Sequence, residues 1–391
     1  GIIKKKSKSS VFTIMGGPHP TFYPAIIESD PVDCICIGEG EHAMAELADA
    51  LEQHKDFTQI SNLWVKTAGG IRKNDVRPLT KDIDSLPFPD RDIYFRDYPQ
   101  LRLNRLAFIA SRGCPYTCSY CFNKSLLALY KDKGPYVRWR TPGNMIHEIE
   151  ENIRKYPSKI VYFQDDVFTT NTAFLKEFLP LYREKIGLPF ICLSRIESLD
   201  EDKVKLLKDA GCVRIFWGLE SGNEKLRKEI LKRDIPNSVI IQKASLLKKH
   251  GIKFRTYNML GIPGERLEQA YETIAMNVTI DTDYPWCSLL TPYPGTEIAG
   301  IFEKEYSCKM DPDTFTTSFF KSSLFPAATA NLQKMFVWAV KFPRLFPFIK
   351  KLIRFRIPLL FDLPFLAGYA WSTYAANCLR CPISCTWRRG T

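Results

Sequence analysis

Three cysteines stand close together in the stretch SRGCPYTCSYCFN, where Cys114, Cys118 and Cys121 have the spacing C-x3-C-x2-C. Cysteine thiolates are the usual ligands of iron–sulfur clusters, and a short loop can bring their sulfurs together. Three thiolates can hold three irons of a four-iron, four-sulfur (4Fe-4S) cluster and leave the fourth iron open to a small molecule. The alternatives are three unrelated thiols or a structural zinc site, which prefers four protein ligands. No further Cys or His lies near in the sequence, so the spacing favours the cluster.

A second triplet, CLRCPISC, contains Cys378, Cys381 and Cys385. A second cluster or a zinc ion there would need a fourth ligand, such as Cys308 or Cys287. Thiols without a metal are the alternative, and both interpretations stay open. Other cysteines lie in strand-like or helix-end segments, where Cys usually behaves as a small buried hydrophobic residue. These predicted core residues are Cys34, Cys36, Cys192 and Cys212.

The first triplet follows the first of six apolar, β-rich runs that begin at Leu106. The runs are LAFIAS, KIVYF, PFICLS, VRIFWGLES, KFRTYNMLG and WCSLLTPY. Amphipathic helical segments lie between most of them, and Ser198 and Glu201 have capping-box spacing before one of these helices. Six β/α units in succession predict parallel strands joined by right-handed crossovers, hence an open or partial (β/α) barrel. The cysteines would lie at the strand C-termini, where such folds keep their chemistry.

Residues 11–55 alternate between strand-like and helix-like segments, an order typical of a parallel α/β sheet. Two strands and two helices make a poor free-standing sheet, so we interpret them as the last half of a doubly wound domain. Prolines and acids in LTKDIDSLPFPDRDIY mark a linker. The predicted division is a partial α/β domain at 1–79, a linker at 80–105, a core domain at 106–321 and a C-terminal extension at 322–391.

The C-terminal extension is aromatic, basic and interrupted by prolines, as in FVWAVKFPRLFPFIKKLIRFRIPLLF. It contains no uninterrupted run of about 18 apolar residues, so the sequence predicts no spanning helix. Helices that pack on the open side of the barrel are the preferred interpretation. The alternative is an interfacial amphipathic segment, in peripheral contact with a membrane through residues 325–371.

The composition is that of a folded chain, with 391 residues and 45% hydrophobic content, long enough for two or three domains. Twelve cysteines without an opening signal sequence predict reduced thiols and a cytoplasmic location rather than a secreted disulfide scaffold. The net charge of +12 permits an acidic partner such as RNA or a membrane surface and does not choose between them.

Tyr120 stands directly before the last cysteine of the triplet, and the triplet follows strand one of six β/α units. Together these features resemble those of the radical S-adenosylmethionine (radical SAM) superfamily. The resemblance implies a 4Fe-4S cluster on Cys114, Cys118 and Cys121 whose open iron chelates S-adenosyl-L-methionine. The later strand ends, in FQDDVF, LSR, WGLESG, LKRD, MLGIPGE and LTPYPGTEI, match the superfamily in order. The residues that it implies in cofactor binding are Asp165, Asp166, Arg195, Glu220, Arg233, Gly261 and Pro263.

These residues are given different roles by the resemblance. Asp165 and Asp166 occupy the place where relatives bind the methionine amino group, although the more usual G-G-E is absent. Glu220 resembles the residue that reaches the ribose, and a helix-capping acid is the alternative. Arg233 or Lys232 resembles the cation that pairs with the methionine carboxylate, and a solvated helix face is the alternative. The glycines of MLGIPGE would let backbone approach adenine closely.

GGPHPT and IGEGEHAMAEL resemble the end of the cobalamin-binding domain found in one branch of the superfamily, that of methyltransferases and the anaerobic porphyrin ring cyclase. The resemblance implies that Gly16 and Gly17 contact the nucleotide tail of cobalamin. The D-x-H-x-x-G segment of some cobalamin domains does not occur, and His19 is no obvious substitute. The chain also opens without Met, so we expect an N-terminally truncated domain that binds cobalamin weakly or not at all.

The resemblance implies an enzyme in which S-adenosyl-L-methionine is cleaved to a 5′-deoxyadenosyl radical that takes a hydrogen atom from an unactivated position. Cobalamin-assisted methylation of a carbon is the leading reaction. The alternatives are cyclase-like oxidation, methylthio transfer to RNA, and a non-enzymatic iron–sulfur or zinc module that binds nucleic acid. The expected partners are a small-molecule, lipid or tetrapyrrole substrate and an electron donor such as ferredoxin or flavodoxin, and not nucleic acid.

Overall fold

The structure, a computed structural model, describes residues 2–7, 11–99, 105–307, 325–355 and 357–377. Its contacts divide the chain into two compact units. Unit 1 holds the described residues of Gly1–Leu86, Gly113–Arg138 and Pro292–Phe315, and unit 2 those of Pro87–Arg112, Trp139–Thr291 and Thr316–Thr391. The loop of the first cysteine triplet therefore belongs to unit 1. The domain division at residues 79, 105 and 321 stays a prediction.

Strands and helices alternate through most of the described chain. The strands are β1 Ile14–Met15, β2 Cys34–Cys36, β3 Leu63–Thr67, β4 Gly70–Lys73, β5 Arg105–Phe108, β6 Ser111–Arg112, β7 Arg138–Trp139, β8 Ile160–Phe163, β9 Phe190–Ser194, β10 Cys212–Glu220, β11 Lys253–Leu260 and β12 Tyr284–Leu289. The helices are α1 Ile2–Lys6, α2 Pro18–Phe22, α3 Glu41–Glu52, α4 Asp92–Phe95, α5 Phe122–Leu129, α6 Pro142–Lys155, α7 Thr172–Lys185, α8 Glu201–Asp209, α9 Glu224–Glu229, α10 Asn237–Lys249, α11 Leu267–Thr279, α12 Glu297–Tyr306, α13 Ala327–Lys341, α14 Phe346–Leu352 and α15 Pro358–Asn377. Short 3₁₀ turns cover Pro24–Glu28, Ile83–Ser85, Ile196–Ser198 and Pro343–Leu345.

Unit 2 is built on a six-stranded sheet whose order, among the described residues, is β12-β11-β10-β9-β8-β5. All neighbouring strands in it are parallel. At least one helix lies in the chain between each strand and the next. The predicted six-unit, open (β/α) barrel is therefore confirmed, and each of the six apolar runs overlaps one strand of the sheet.

Both faces of this sheet are covered, which explains why its strands are nearly continuous apolar runs. Phe163 of β8 and Phe190 of β9 pack with the helices on one face, in a cluster that includes Phe178 of α7. Tyr162, the neighbour of Phe163, belongs to a separate cluster with Phe216 on the opposite face. This alternation is the two-residue period of a β-strand.

Unit 1 contains a four-stranded sheet with the order β1-β2-β3-β4. β1 and β2 are parallel, as the strand–helix–strand pattern predicts. β3 pairs antiparallel with β2, and β4 with β3, so the predicted incomplete doubly wound sheet has an antiparallel edge that the pattern did not predict. Cys34 and Cys36 are buried against α3. Cys192 and Cys212 are also buried, which confirms the predicted core cysteines.

The predicted start of α8 is wrong. Its N-cap is Asp200, whose carboxylate accepts a hydrogen bond from the Lys203 N–H at 2.8 Å. Ser198 instead ends the preceding 3₁₀ turn and donates its hydroxyl to the Arg195 carbonyl at 2.7 Å. Asp and Ser are about equally good N-caps. Ser198 is already part of the 3₁₀ turn Ile196–Ser198, so Asp200 becomes the N-cap of α8.

Helices make up the described part of the C-terminal extension, as predicted. Leu332 and Phe336 of α13 share one buried cluster with Ile274 of α11 and Cys287 of β12. No helix in the described ranges is both long enough and apolar enough to cross a membrane. The triplet Cys378, Cys381 and Cys385, and Cys308, lie outside the described residues.

Candidate functional site

The first cysteine triplet lies in unit 1 on the loop that precedes α5. Cys114 and Cys118 are buried, and Cys121 is half-buried. Gly113 begins the loop with a φ of +85°, and a Cβ atom there would lie 2.5 Å from the Tyr136 carbonyl oxygen. Glycine tolerates this conformation and this approach without a steric clash. Gly113 therefore fixes the path of the chain into the triplet.

Cys121 is the N-cap of α5. Its Sγ accepts hydrogen bonds from the backbone N–H and the side-chain Nδ2 of Asn123, both at 3.5 Å. Tyr136 donates its hydroxyl to Asn123 Oδ1 at 2.5 Å and so orients the amide. A helix N-terminus favours negative charge. This end of the triplet is therefore suited to a thiolate.

The donor set of this loop is three thiols, the usual ligands of an iron–sulfur cluster. In the part of the chain that the structure describes, no three His, Cys, Asp or Glu side chains are grouped so that they could hold one ion. A zinc site needs all its ligands around one ion, whereas each cluster thiolate binds a different iron.

Two other segments of unit 1 pack on the cysteine loop. The Ile298 N–H of α12 donates to the Ser119 carbonyl at 2.9 Å. Phe22 of α2 stacks on Phe122, with ring centroids 4.4 Å apart, and Tyr293 contacts Phe122 from 5.2 Å. The segment that follows β12, predicted to be the last of the functional strand ends, therefore contacts the residues around Cys121.

The loop after β2 is joined to the chain that follows the triplet, also within unit 1. Gly38 has a φ of +76°, and a Cβ atom there would lie 2.0 Å from the Tyr130 hydroxyl. The Glu39 N–H donates to that hydroxyl at 2.7 Å, and the Glu39 carboxylate accepts from Arg138 at 2.6 and 3.1 Å. These contacts could not be predicted from the sequence, because Glu39 and Arg138 are 99 positions apart.

Gly16 and Gly17, the predicted cobalamin contacts, are exposed between β1 and α2. Gly17 has a φ of +92°, and a Cβ atom there would meet nothing within 4 Å. At Gly16 it would lie 3.8 Å from the Cβ atom of Cys36, an ordinary contact. Both positions therefore offer open backbone to a ligand.

Asp165 and Asp166 follow β8 and differ in their surroundings. Asp165 is fully buried and accepts hydrogen bonds from the Ala110 N–H at 3.0 Å and the Ser111 hydroxyl at 2.5 Å. These bonds join the end of β8 to the chain that follows β5. Burial raises the pKa of Asp165 to about 6. Asp166 is exposed, so the two neighbouring carboxylates have opposite surroundings.

Charged side chains at the ends of β9 and β10 form a chain of ion pairs. Arg195 contacts Glu197 at 2.5 Å. Arg233 lies 3.5 Å from Glu197 and 3.3 Å from Glu220. Lys232, the alternative to Arg233, is exposed. The structure thus brings together Arg195, Glu220 and Arg233, and adds Glu197, which the sequence did not single out.

The backbone at Glu220 is shaped by its neighbours. The register of β10 on β11 shifts between Gly218 and Glu220, and Glu220 has a φ of +66°. A Cβ atom at Gly218 would lie 1.8 Å from Glu220 Oε1. The buried Arg227 donates to the Ser221 and Ile235 carbonyls at 2.6 and 2.8 Å, which closes the loop between β10 and α10. Burial lowers the pKa of Arg227 to about 10.

The turn after β11 is held by its own carboxylate. Gly261 has a φ of +78°, and a Cβ atom there would lie 2.3 Å from the Phe325 ring. The Gly261 N–H donates to Glu265 at 2.7 Å, and Pro263 is buried between them. Burial raises the pKa of Glu265 to about 7. The Phe325 ring thus lies close to Gly261, and the contact of these glycines with adenine stays a prediction.

Known proteins resemble this chain in sequence. The sequence profile described as Radical SAM superfamily matches residues 108–276. An uncharacterized methyltransferase of Pyrococcus horikoshii is 30% identical over 306 residues, which cover 76% of this chain and 64% of that protein. The anaerobic magnesium-protoporphyrin IX monomethyl ester cyclase of Rubrivivax gelatinosus is 25% identical over 308 residues, covering 76% of this chain and 54% of the cyclase. This chain therefore spans less than two thirds of the length of either relative.

Two solved structures have a similar fold. The radical S-adenosylmethionine methyltransferase TsrM from Kitasatospora setae, with cobalamin and a 4Fe-4S cluster bound, gives a TM-score of 0.63 at 19% identity over 81% of this chain and 65% of its own. The cobalamin-dependent S-adenosylmethionine radical enzyme OxsB, with aqua-cobalamin bound, gives 0.64 at 16% identity over 92% of this chain and 58% of its own. At these identities the similarity is one of fold.

Proposed function

Because the chain belongs to the radical SAM superfamily, we propose that it is an enzyme that cleaves S-adenosyl-L-methionine reductively and uses the 5′-deoxyadenosyl radical on an unactivated carbon. The observation that carries this proposal is the triplet Cys114, Cys118 and Cys121, which follows in the chain after β5, the first strand of the parallel β/α sheet, and the short strand β6. These thiolates would hold the 4Fe-4S cluster, which supplies one electron for the cleavage when it is bound.

The side chains at the strand ends of unit 2 are proposed to bind S-adenosyl-L-methionine. Arg233 would pair with the methionine carboxylate, a charge-assisted contact of the stronger kind. Glu220 would accept hydrogen bonds from the ribose, and the exposed Asp166 from the ammonium group. Arg195, through the ion-pair chain, would position Arg233, and residues 261–263 would lie against adenine.

Cobalamin-assisted methylation is the reaction that we propose first. It is supported by the relative that is named a methyltransferase and by the open backbone at Gly16 and Gly17. Oxidation of the cyclase type is the second candidate, because a named cyclase is 25% identical to the chain. We propose a small molecule, lipid or tetrapyrrole as the substrate and a ferredoxin or flavodoxin as the electron donor.

Anaerobic reconstitution with iron and sulfide, then reduction in the presence of S-adenosyl-L-methionine, tests the cleavage. We expect 5′-deoxyadenosine from the wild-type chain and none from Cys121→Ala, which should also lose part of the visible absorbance of the cluster. Cys34→Ala is the matched control, since it removes a buried thiol of the same unit. Full cleavage by Cys121→Ala would refute the assignment.

The products separate the two candidate reactions. Methylation through cobalamin consumes a second S-adenosyl-L-methionine as methyl donor and leaves S-adenosylhomocysteine, whereas oxidation of the cyclase type does not. Because we expect this chain to bind cobalamin weakly, hydroxocobalamin is added to the reduced enzyme in large excess, and S-adenosylhomocysteine should then form. If 5′-deoxyadenosine forms with or without hydroxocobalamin and S-adenosylhomocysteine never does, methylation is wrong and oxidation is favoured.

A further inference from the structure

The described C-terminal residues expose an unusual number of large apolar side chains. Of the exposed large hydrophobic residues in the described chain, eight lie between residues 345 and 374. Seven of these side chains belong to α14, the start of α15 and the adjoining turns, and we call them the outer face. They are Leu345, Phe348, Phe355, Ile357, Leu360, Leu363 and Leu366. Phe348 is 63% exposed and Leu363 67%. A concentration of exposed apolar side chains on a folded surface marks an interaction site.

The outer face is held in place by the other side of the same segment. Ile349, Ile353 and Phe361 are buried in one cluster with residues of α13. Asn331 of α13 donates its side-chain amide to the Ile353 and Phe355 carbonyls, each at 2.9 Å. The segment is therefore packed on its inner side, and its outer apolar side chains are presented by a fixed backbone.

Basic side chains lie among these apolar ones. Arg344, Lys350, Lys351 and Arg354 are exposed in the same segment. The one acid between residues 343 and 366 is Asp362, which is paired with Lys334 of α13. The outer face is therefore both apolar and positively charged, with its acid already neutralised.

From this combination we propose that the outer face docks on the surface of a bilayer that contains anionic phospholipids. Apolar side chains enter the boundary between headgroups and acyl chains, while Lys and Arg are attracted to anionic lipids. Because no helix of the described residues can cross a membrane, the segment would lie along the surface. This proposal does not depend on the chemistry proposed for the cysteine loop.

A second copy of the chain and a nucleic acid fit this surface less well. A two-fold interface puts the same patch on both subunits, so basic residues would meet basic residues, while the one acid between residues 343 and 366 is already paired with Lys334. Nucleic acids are bound by basic grooves in which aromatic rings stack on the bases. Five of the seven outer-face residues are Leu or Ile, which cannot stack in this way.

Cosedimentation of the full chain with vesicles tests the proposal. We expect binding to vesicles of 30% phosphatidylglycerol in phosphatidylcholine, weaker binding to pure phosphatidylcholine, and weakening as salt rises. The pair Lys351→Gln and Arg354→Gln should weaken binding to the anionic vesicles by about fivefold for each charge removed. The pair Phe348→Ser and Leu363→Ser should weaken it by about tenfold or more.

Matched pairs elsewhere control for the loss of apolar area and of charge. Met44→Ser with Leu51→Ser removes exposed apolar side chains of α3, and Lys225→Gln with Lys228→Gln removes exposed charges of α9. Both control pairs should bind vesicles as the wild type does. All variants should keep the wild-type circular dichroism, because the substituted side chains are exposed.

Several results would overturn the proposal. These are no binding of the wild-type chain to anionic vesicles at low salt, or equal binding by the outer-face variants and the controls. A concentration-dependent dimer that the outer-face variants abolish, without vesicle binding, would assign the face to a second copy. Binding of single-stranded RNA without vesicle binding would assign it to nucleic acid.

Discussion

Arg233 should contribute strongly to the stability of unit 2, because it is 3% exposed and lies between two carboxylates. Its guanidinium is 3.3 Å from Glu220 and 3.5 Å from Glu197. At an effective dielectric constant of about 20, each pair has about 5 kcal/mol of Coulomb energy before desolvation is subtracted. Removal of one member of a buried pair typically costs about 3 to 5 kcal/mol, because the other charge is left buried. We expect Arg233→Ala to lower the free energy of unfolding by that amount.

Lys228→Ala is the control for this prediction. Lys228 pairs with Asp234 at a shorter distance, 2.9 Å, but its side chain is 61% exposed, and water screens such pairs. Urea unfolding followed by circular dichroism should show no change of midpoint for Lys228→Ala. With a slope of about 1 to 3 kcal/mol per M, the midpoint of Arg233→Ala should fall by about 1 M or more.

Equal midpoints for the two variants would refute the reasoning, which rests on burial and not on distance. Glu220→Gln in the Arg233→Ala background tests the cause, because Glu197 keeps its ion pair with Arg195. It removes the buried carboxylate that faced Arg233, so it should recover part of the lost stability. If nothing is recovered, Arg233 stabilises the unit through the packing of its side-chain stem instead.

Three further predictions follow from the same unit. Glu220→Gln should weaken S-adenosyl-L-methionine binding, measured by equilibrium dialysis, by about 1.5 to 3 kcal/mol and leave the visible absorbance of the cluster intact. Unchanged affinity would remove Glu220 from the binding site. The pKa of Glu265 is raised from 4.5 to about 7 in the folded chain, so its contribution to stability is present below pH 4.5 and is lost as the pH rises through 7. Glu265→Gln should remove this pH-dependent loss of unfolding free energy, which is about 3 kcal/mol. Urea midpoints that change in parallel for the variant and the wild type from pH 4.5 to 8 would contradict this. Gly261→Ala should lower the melting temperature, because Ala resists the φ of +78° and its Cβ atom would meet Phe325, whereas Gly143→Ala, in helix α6 with open space around it, should not.

The strands of unit 2 could be predicted because the information is local. KIVYF contains β8 and PFICLS contains β9, and such short apolar runs arise wherever both faces of a parallel sheet are buried. Their order follows from the preference for right-handed crossovers between consecutive strands. The antiparallel edge of unit 1 was missed because β3 and β4 are short and only partly apolar.

The site could be predicted only in part, because its geometry depends on distant partners. The sequence places Asp165 and Asp166 together after β8, but the partner that turns Asp165 inward is Ser111, 54 positions away. Glu197 joins the ion-pair chain through Arg233, 36 positions later. Asn123 is adjacent to the triplet, yet its bond to Cys121 is visible only once α5 is known to begin at Phe122. Contacts of these kinds leave no periodic pattern in the sequence.

The α/β half-domain takes part in positioning the cysteine loop, whatever its relation to cobalamin. The Arg138 guanidinium is buried in unit 1, where it donates to the Glu39 carboxylate and, at 2.7 Å, to the Thr80 carbonyl. A fragment without residues 1–79 would leave this guanidinium without its carboxylate, a loss that typically costs about 3 to 5 kcal/mol. Arg138 is the last residue of the segment of unit 1 that begins at Gly113. The lost stability would therefore affect the segment that contains the cysteine loop. The boundary at residue 79 stays a prediction, and a comparison of urea unfolding between residues 80–391 and the full chain tests it.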